Sequence, residues 1–220
     1  MRNFVYVALA TLLVSVWNYI GWQRSSAEMW ASSIGIYLVL GVFAYRYART
    51  NETFEDWLSP VWGDASRGLV LSVACFAAFY GLAMLLPRTY LPVWSLRYLS
   101  SFEDQMRMRA IVNSLLPFIV LRVGLEEFVW RGHIRSLLSE ELGSRIGWVV
   151  SLGLFLVVAL PSAWAMSTGS PNPLRLLVVL VGGGGAAIFV RVTDRLLPGI
   201  LGRIGLEWAV LAFHPLWGVG

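Results

Sequence analysis

The chain has 220 residues, of which 57% are hydrophobic and 14% are charged, and its formal net charge is +4. A soluble domain carries about 25% charged residues, so this composition excludes a soluble globule, and it equally excludes a disordered chain or a coiled coil. The arginines are spread along the chain instead of clustered, which excludes a nucleic-acid-binding protein and leaves an integral membrane protein.

Seven apolar runs are long enough to form membrane-spanning helices, each of which needs about 20 mainly apolar residues. They predict an all-α fold, a polytopic bundle of about seven transmembrane helices. In chain order the runs cover residues 4–22, 30–47, 68–87, 110–130, 146–166, 174–190 and 200–219. The first run has an alternative interpretation, because residues 25–27 (Ser-Ser-Ala) offer a cleavage site that would make residues 1–27 a signal peptide.

The arginines also predict how the bundle is oriented. With seven spans, ten arginines fall on the side of the amino terminus and six on the opposite side. Because positively charged loops are retained in the cytoplasm, this asymmetry places the amino terminus there, in a protein of the cell (inner) membrane. No repeat, low-complexity tract or linker divides the chain, so we predict a single membrane domain over residues 1–220.

The run from Ala110 to Leu142 is longer than one span. Apart from Pro117 near its start, it contains no helix terminator, so we predict one helix of about 50 Å. A helix of this length exceeds the hydrocarbon core of a bilayer, which is about 30 Å thick. Its polar residues can therefore lie well inside the membrane.

This long helix carries a set of charges at helical spacing. Arg122 and Glu126 are four residues apart, as are Glu127 and Arg131, so each acid has an arginine on its own face. His133 follows Glu126 by seven residues and returns to nearly the same face. Because a charge at the bilayer centre costs about 3 kcal/mol, the set indicates a functional site. The alternative is a neutralised helix end with arginines that snorkel to the interface.

A second polar set lies in the last predicted span. Arg203 and Glu207 are again four residues apart, and His214 lies seven residues beyond Glu207. A histidine that shares a helix face with a glutamate is a candidate for proton transfer. Pro215 leaves a carbonyl one turn earlier without its helical hydrogen bond, which is typical of helices broken around a polar cavity.

Three further features have less specific interpretations. The run Gly182-Gly183-Gly184-Gly185 favours close helix packing over a locally unwound wall for a substrate strand. Cys75 lies in an apolar run and is predicted to be an inert, packed thiol. A metal site would require Glu126, His133 and His214 to converge in a chain with two histidines and one cysteine, so we predict no metal and no other cofactor.

Residues 126–132 (Glu-Glu-Phe-Val-Trp-Arg-Gly) resemble the EExxxRG motif of the CAAX-prenyl-protease and bacteriocin-processing (CPBP, ABI) family of intramembrane glutamic endopeptidases. The resemblance covers residues 110–220 as a CPBP-like core, with residues 1–109 as accessory spans. It implies that Glu126 activates the hydrolytic water, that Glu127 and Arg131 hold this helix and its water, and that His214 stabilises the oxyanion. Apart from the resemblance, His133 and Glu207 are candidate auxiliary groups by their spacing, provided that the helices bring them close to Glu126.

The sequence departs from the family pattern at two positions. The second motif, FxxxH, is matched by Phe155, but Ala159 stands at its histidine position. The last motif, HxxxN or HxxxD, is matched by His214, but Gly218 stands at its final position. Losing a positioned proton-transfer partner commonly costs about 10²–10⁴ in rate, so these departures bear directly on activity.

The sequence therefore predicts a divergent intramembrane endopeptidase of the glutamic type. Its partners would be the lipid bilayer and a membrane-associated or secreted protein or peptide, which it processes or sorts; no nucleic acid is expected. One alternative is a non-catalytic relative that acts as a membrane scaffold or an immunity protein. A second is a proton-coupled transporter that uses Glu126, Glu207 and His214 as a relay.

Overall fold

A computed structural model describes residues 2–22, 26–87, 93–94, 111–165 and 171–212. These residues form helices and no strand, which confirms the all-α prediction. The helices are α1 (Arg2–Trp22), α2 (Ser26–Thr50), α3 (Phe54–Leu58), α4 (Asp64–Ala83), α5 (Ile111–Glu127, continued by Phe128–Ile134 and Arg135–Leu142), α6 (Ser144–Ala165), α7 (Pro173–Val178, continued by Val179–Gly183 and Gly184–Thr193) and α8 (Leu197–Ala212).

Among the described residues, five helices are long and apolar enough to cross a membrane: Asn3–Gly21, Ala31–Thr50, Asp64–Ala83, Ser144–Ala165 and Pro173–Thr193. They correspond to five of the predicted spans. Of the other two, residues 111–130 lie on α5 and residues 200–212 lie on α8, and neither helix is among the five. Large apolar side chains on the outer faces of these helices are exposed, as lipid contact requires. The protein is therefore a polytopic integral membrane helix bundle.

Helix α5 is the central element of the bundle. Its first half packs in one hydrophobic cluster with α4, α7 and α8, where Ile119 contacts the group that contains Phe79 and Leu206. Its second half packs in another cluster with α1, α2 and α6, where Trp130 is fully buried. Helix α1 lies within residues 1–27, the segment with the alternative interpretation as a signal peptide, and contributes its inner face to this second cluster through Val14.

A turn of π-helix interrupts α5 directly after the acidic pair, over Phe128–Ile134. All the residues of this turn are buried. A π turn closes hydrogen bonds between residues five apart, so it contains more residues per turn than an α-helix, and such turns are frequent at functional sites. The prediction of one continuous helix is thus confirmed over residues 111–142, with a local change of pitch.

The glycines allow close approach of neighbouring helices. A methyl group added at Gly68 of α4 would lie 2.6 Å from Leu201 Cβ of α8, and one added at Gly205 would lie 2.2 Å from Ser72 Oγ. Small residues at such contacts are typical of helix packing in membranes, where no hydrophobic force drives helices together. The close contact between α4 and α8 therefore depends on having glycine, with no side chain, at positions 68 and 205.

The run of four glycines in α7 follows the same rule. A methyl group at Gly182 would meet Leu206, one at Gly183 would meet Phe155, and one at Gly185 would meet the sulfur of Cys75. The predicted role in packing is thus confirmed for these three glycines. Cys75 itself is buried and lies 3.6 Å from the carbonyl oxygen of Val181, as expected of a packed thiol.

Two neighbouring glycines give a matched test of this packing. We expect Gly183→Ala to destabilise the protein by about 1–3 kcal/mol, because its Cβ would lie 2.2 Å from Phe155 Cε1 in a full core. Gly184→Ala should be neutral or stabilising by up to about 1 kcal/mol, since nothing lies within 4 Å and alanine favours the helix. Thermal unfolding of both variants in one detergent measures the difference, and equal melting temperatures would contradict the packing.

Candidate active site

Six charged side chains meet where α5 crosses α8, and each is at most 6% exposed. We call them the buried charge cluster. Its members are Arg122, Glu126, Glu127 and Arg131 of α5 and Arg203 and Glu207 of α8. Three arginines face three glutamates, so the cluster has no net formal charge. This balance is what burial in an apolar bundle requires, because an unpaired charge would cost several kcal/mol.

Arg203 is the centre of the cluster. Its Nη1 lies 2.7 Å from Glu127 Oε1, and its Nη2 lies 2.5 Å from Glu126 Oε2 and 3.4 Å from Glu207 Oε1. The planar guanidinium offers several N–H donors in a fixed fork, which suits simultaneous contacts with several carboxylates. One side chain of α8 thereby holds both acids of the EExxxRG motif.

Two of the predicted pairs within a helix are confirmed. Arg131 Nε lies 3.7 Å from Glu127 Oε2, and Arg203 reaches Glu207 one turn along α8. In the third predicted pair, Arg122 lies within electrostatic range of Glu126. The ion pairs of these two residues run between helices, because Arg122 contacts Glu207 and Glu126 contacts Arg203. Residue spacing along one helix does not show which residues the neighbouring helix presents.

Glu126 has a second partner that the sequence analysis missed. The Tyr37 hydroxyl of α2 donates to Glu126 Oε1 at 3.1 Å, and the indole Nε1–H of Trp130 donates to the Tyr37 oxygen at 3.1 Å. With Arg203 on Oε2, both carboxylate oxygens are engaged. Tyr37 lies in a generic apolar span, where its only sequence signal is a polar tip among apolar residues.

Phe155, the phenylalanine of the second motif, packs against the cluster. Its ring centroid lies 4.3 Å from Cζ of Arg131 and 5.0 Å from Cζ of Arg203, within the range of cation–π attraction. Arg131 also donates to the carbonyl oxygen of Gly183 at 2.8 Å. The aromatic ring and the glycine segment thus fix the guanidinium that follows the acidic pair.

Ala159, where the family places histidine, lies one turn after Phe155 and is 7% exposed. The guanidinium group of Arg175 is linked to Ala159 through Ser162. Arg175 Nε donates to Ser162 Oγ at 3.3 Å, and Ser162 Oγ donates to the carbonyl oxygen of Ala159 at 2.7 Å. Arg175 is buried and close enough to Glu126 for an electrostatic attraction. The Asn172 side chain caps the first turn of α7, which holds Arg175 in this position.

Of the two histidines, only His133 lies within the described residues. His133 lies in the π turn, and its ring packs against Tyr6 and Tyr47 with centroid distances of 5.3 and 4.8 Å. Its predicted place on the face of Glu126 assumed regular α-helical pitch, which the π turn breaks. His214 lies outside the described residues, as does Gly218, so the last motif stays a prediction. Of the auxiliary residues, Glu207 joins the cluster.

The described part of the chain contains no group of three histidine, cysteine, aspartate or glutamate side chains arranged to hold a metal ion. The glutamates of the cluster face arginines instead. The carboxylates of the cluster can accept a proton, and its guanidinium groups can stabilise negative charge.

Part of the chain matches the model of a known protein family. Residues 108–209 match the model of the type II CAAX prenyl endopeptidases, Rce1-like. This Rce1-like segment contains the EExxxRG motif, Phe155 and the α8 half of the cluster, and the match confirms the resemblance to the CAAX-protease family over these residues. The last motif, at His214 and Gly218, lies beyond the matched residues. The family that this segment matches is one of CAAX-protease-like membrane endopeptidases. Searches of curated proteins and of solved structures gave no match.

The ion pairs of Arg203 with Glu126 and Glu127 lead to a prediction about the stability of the protein. We expect Arg203→Met to cost about 3–5 kcal/mol, because it leaves Glu126 and Glu127 buried without their shared cation. Arg67→Gln is the control, since Arg67 is half exposed and its pair with Asp64 is long, at 4.0 Å. Chemical unfolding in detergent compares the two, and equal losses would contradict the central role of Arg203.

Proposed function

We propose that the protein is an intramembrane endopeptidase of the glutamic type, in which Glu126 is the base that activates water. The observation that supports this proposal is the position of Glu126. It is the first acid of the EExxxRG motif, lies directly before the π turn, and is held in a buried cluster by Tyr37 and Arg203. These contacts orient its carboxylate, and a general base has to be held in position relative to the water it activates.

The reaction begins when a water molecule replaces one of the two partners of Glu126. Glu126 takes a proton from this water while the water oxygen forms a bond to the carbonyl carbon of the peptide. The proton then passes to the leaving nitrogen as the carbon–nitrogen bond breaks. Glu127, Arg131 and Arg203 position the base, and His214 donates to the developing oxyanion.

Arg175 compensates in part for the histidine that Ala159 replaces. Its guanidinium is linked through Ser162 to the backbone at Ala159 and lies within electrostatic range of Glu126. A fixed positive charge at this place stabilises an oxyanion without transferring a proton. The site thus retains charge stabilisation and lacks the second proton carrier.

The substrate of this proposed enzyme is a membrane-associated or secreted protein or peptide that it processes or sorts. A base that lies inside a helix bundle reaches chains that are themselves held at the membrane. The arginine asymmetry supports an amino terminus in the cytoplasm of the cell (inner) membrane, with residues 1–220 as one membrane domain.

A second candidate function is a non-catalytic membrane scaffold or immunity protein. Two observations favour it: Ala159 stands at a proton-transfer position, and both oxygens of Glu126 already have partners. In such a protein the buried charge cluster only joins α5 to α8. The two functions differ in what happens when Glu126 loses its charge.

Replacement of the proposed base separates them. We expect Glu126→Gln to lower the rate of peptide cleavage by at least about 10², because the amide no longer accepts the proton of water. The measurement uses reconstituted proteoliposomes and a fluorogenic, carboxy-terminally prenylated CAAX peptide. Glu140→Gln is the control, since Glu140 lies on the exposed end of the same helix and pairs with Tyr47.

An unchanged rate in Glu126→Gln would overturn the assignment of the base. If the wild-type protein and Glu126→Gln are equally inactive on this peptide and on a library of membrane-anchored peptides, while both fold, the scaffold function replaces the enzyme. Thermal unfolding of each variant shows whether it is folded.

Restoring the family histidine tests the departure at Ala159. We expect Ala159→His to raise the cleavage rate by up to about 10², because it returns a positioned proton carrier to the site. Ala159→Gln is the control for volume, since it fills the same buried space without a titratable group. A folded Ala159→His variant whose rate equals that of Ala159→Gln would show that proton transfer at this position does not limit the reaction.

A further inference from the structure

A small polar cavity of about 120 Å³ lies away from the buried charge cluster, where α5 ends, α6 begins and α7 ends. We call it the arginine–serine cavity. Its lining side chains are mainly hydrogen-bond donors, with one carboxylate among them. They are Arg135, Ser136, Ser139, Ser144, Trp148, Arg191 and Asp194.

The two arginines of the cavity come from different helices and have different partners. Arg191 Nη1 of α7 donates to Ser144 Oγ at 2.7 Å, which leaves the Ser144 hydroxyl proton available to a ligand. Arg135 Nη2 of α5 lies 3.5 Å from Asp194 Oδ1, a long contact to a side chain that is 79% exposed. A single exposed carboxylate does not neutralise two guanidinium groups, so the cavity is positive.

The start of α6 adds to this positive character. The first helical hydrogen bond of α6 joins the Gly147 N–H to the Gly143 carbonyl oxygen at 2.9 Å. The preceding N–H groups, beginning at Ser144, therefore point out of the helix, and the first turn contains no acidic residue. Unpaired N–H groups and the helix dipole favour an anion at such an end.

The cavity also lies at the boundary of the apolar surface. Both α6, from Ser144, and α7, to Thr193, are long and apolar enough to span the membrane, so the cavity sits where each helix meets its end. Directly beside it, large apolar side chains are exposed, among them Ile146, Val149 and Val192 at 58%, 58% and 79%. A ligand with a phosphate group and acyl chains would contact the donors and this apolar surface together.

We propose that the arginine–serine cavity binds the phosphate group of an anionic membrane lipid. Arg135 and Arg191 contact the phosphate oxygens, Ser144 and the first turn of α6 donate to them, and the acyl chains lie on the apolar faces of α6 and α7. Guanidinium groups match phosphate geometry with paired N–H donors, and basic pockets between membrane helices are suited to lipid headgroups. This site is independent of the proposed proteolysis.

Lipid binding by the detergent-purified full chain tests the proposal. Native mass spectrometry measures the bound fraction of dioleoyl phosphatidic acid and, separately, of dioleoyl phosphatidylcholine. We expect phosphatidic acid to bind more tightly, and the double variant Arg135→Gln/Arg191→Gln to weaken its binding by about ten- to a hundredfold, as loss of charged hydrogen bonds implies. Asp194→Asn should strengthen binding, because it removes the carboxylate that competes for Arg135.

The control is Arg46→Gln, because Arg46 is an exposed arginine on another helix and contributes only to general surface charge. It should leave binding unchanged. If it weakens binding as much as the double variant does, or if the folded double variant binds phosphatidic acid like the wild type, the site is refuted. A competition with inorganic phosphate distinguishes the source: complete displacement of phosphatidic acid at millimolar phosphate would show a site for soluble phosphate and overturn the lipid assignment.

Discussion

The structure depends on one guanidinium group. Arg203 joins three carboxylates from two helices in a region where an unpaired charge is costly. The cation that α8 presents at their level balances the acids at 126 and 127 together with Arg131 of α5. The crossing of α5 and α8 is thereby fixed, since the two helices cannot slide or rotate without separating these partners. The packing of Phe155 and the glycines of α7 then encloses the cluster from the other side.

The same arrangement places a constraint on chemistry. A carboxylate that accepts hydrogen bonds on both oxygens is well oriented, and it must exchange one partner before it can accept a proton from water. Of the two partners of Glu126, Tyr37 is neutral and Arg203 carries the charge balance. Release of the tyrosine hydroxyl therefore disturbs the bundle less than release of the ion pair. Activation of water by way of Tyr37 would couple α2, an accessory span, to the reaction at α5.

The sequence predicts the features that depend on composition and on spacing along one helix. Apolar runs indicate the spans, and four-residue spacing indicates the pairs Glu127–Arg131 and Arg203–Glu207. The sequence does not predict the contacts of Glu126 with Tyr37 and Arg203, because they join residues 89 and 77 positions apart. Nor does the sequence predict the contacts of His133 with Tyr6 and Tyr47, because hydrogen bonds between residues five apart change the helical pitch in the π turn.

The π turn of α5 also determines how the residues after it are rotated about the helix axis relative to those before it. Each residue of an α-helix turns the chain by about 100°, so the additional residue of a π turn sets the angular phase of everything that follows it. Glu126 precedes the turn and Arg135 follows it. A one-residue deletion within the turn would leave the acidic pair facing α8 and rotate Arg135 away from the end of α7. The π turn thus sets the angular register between the buried acids and the arginine–serine cavity at the membrane boundary.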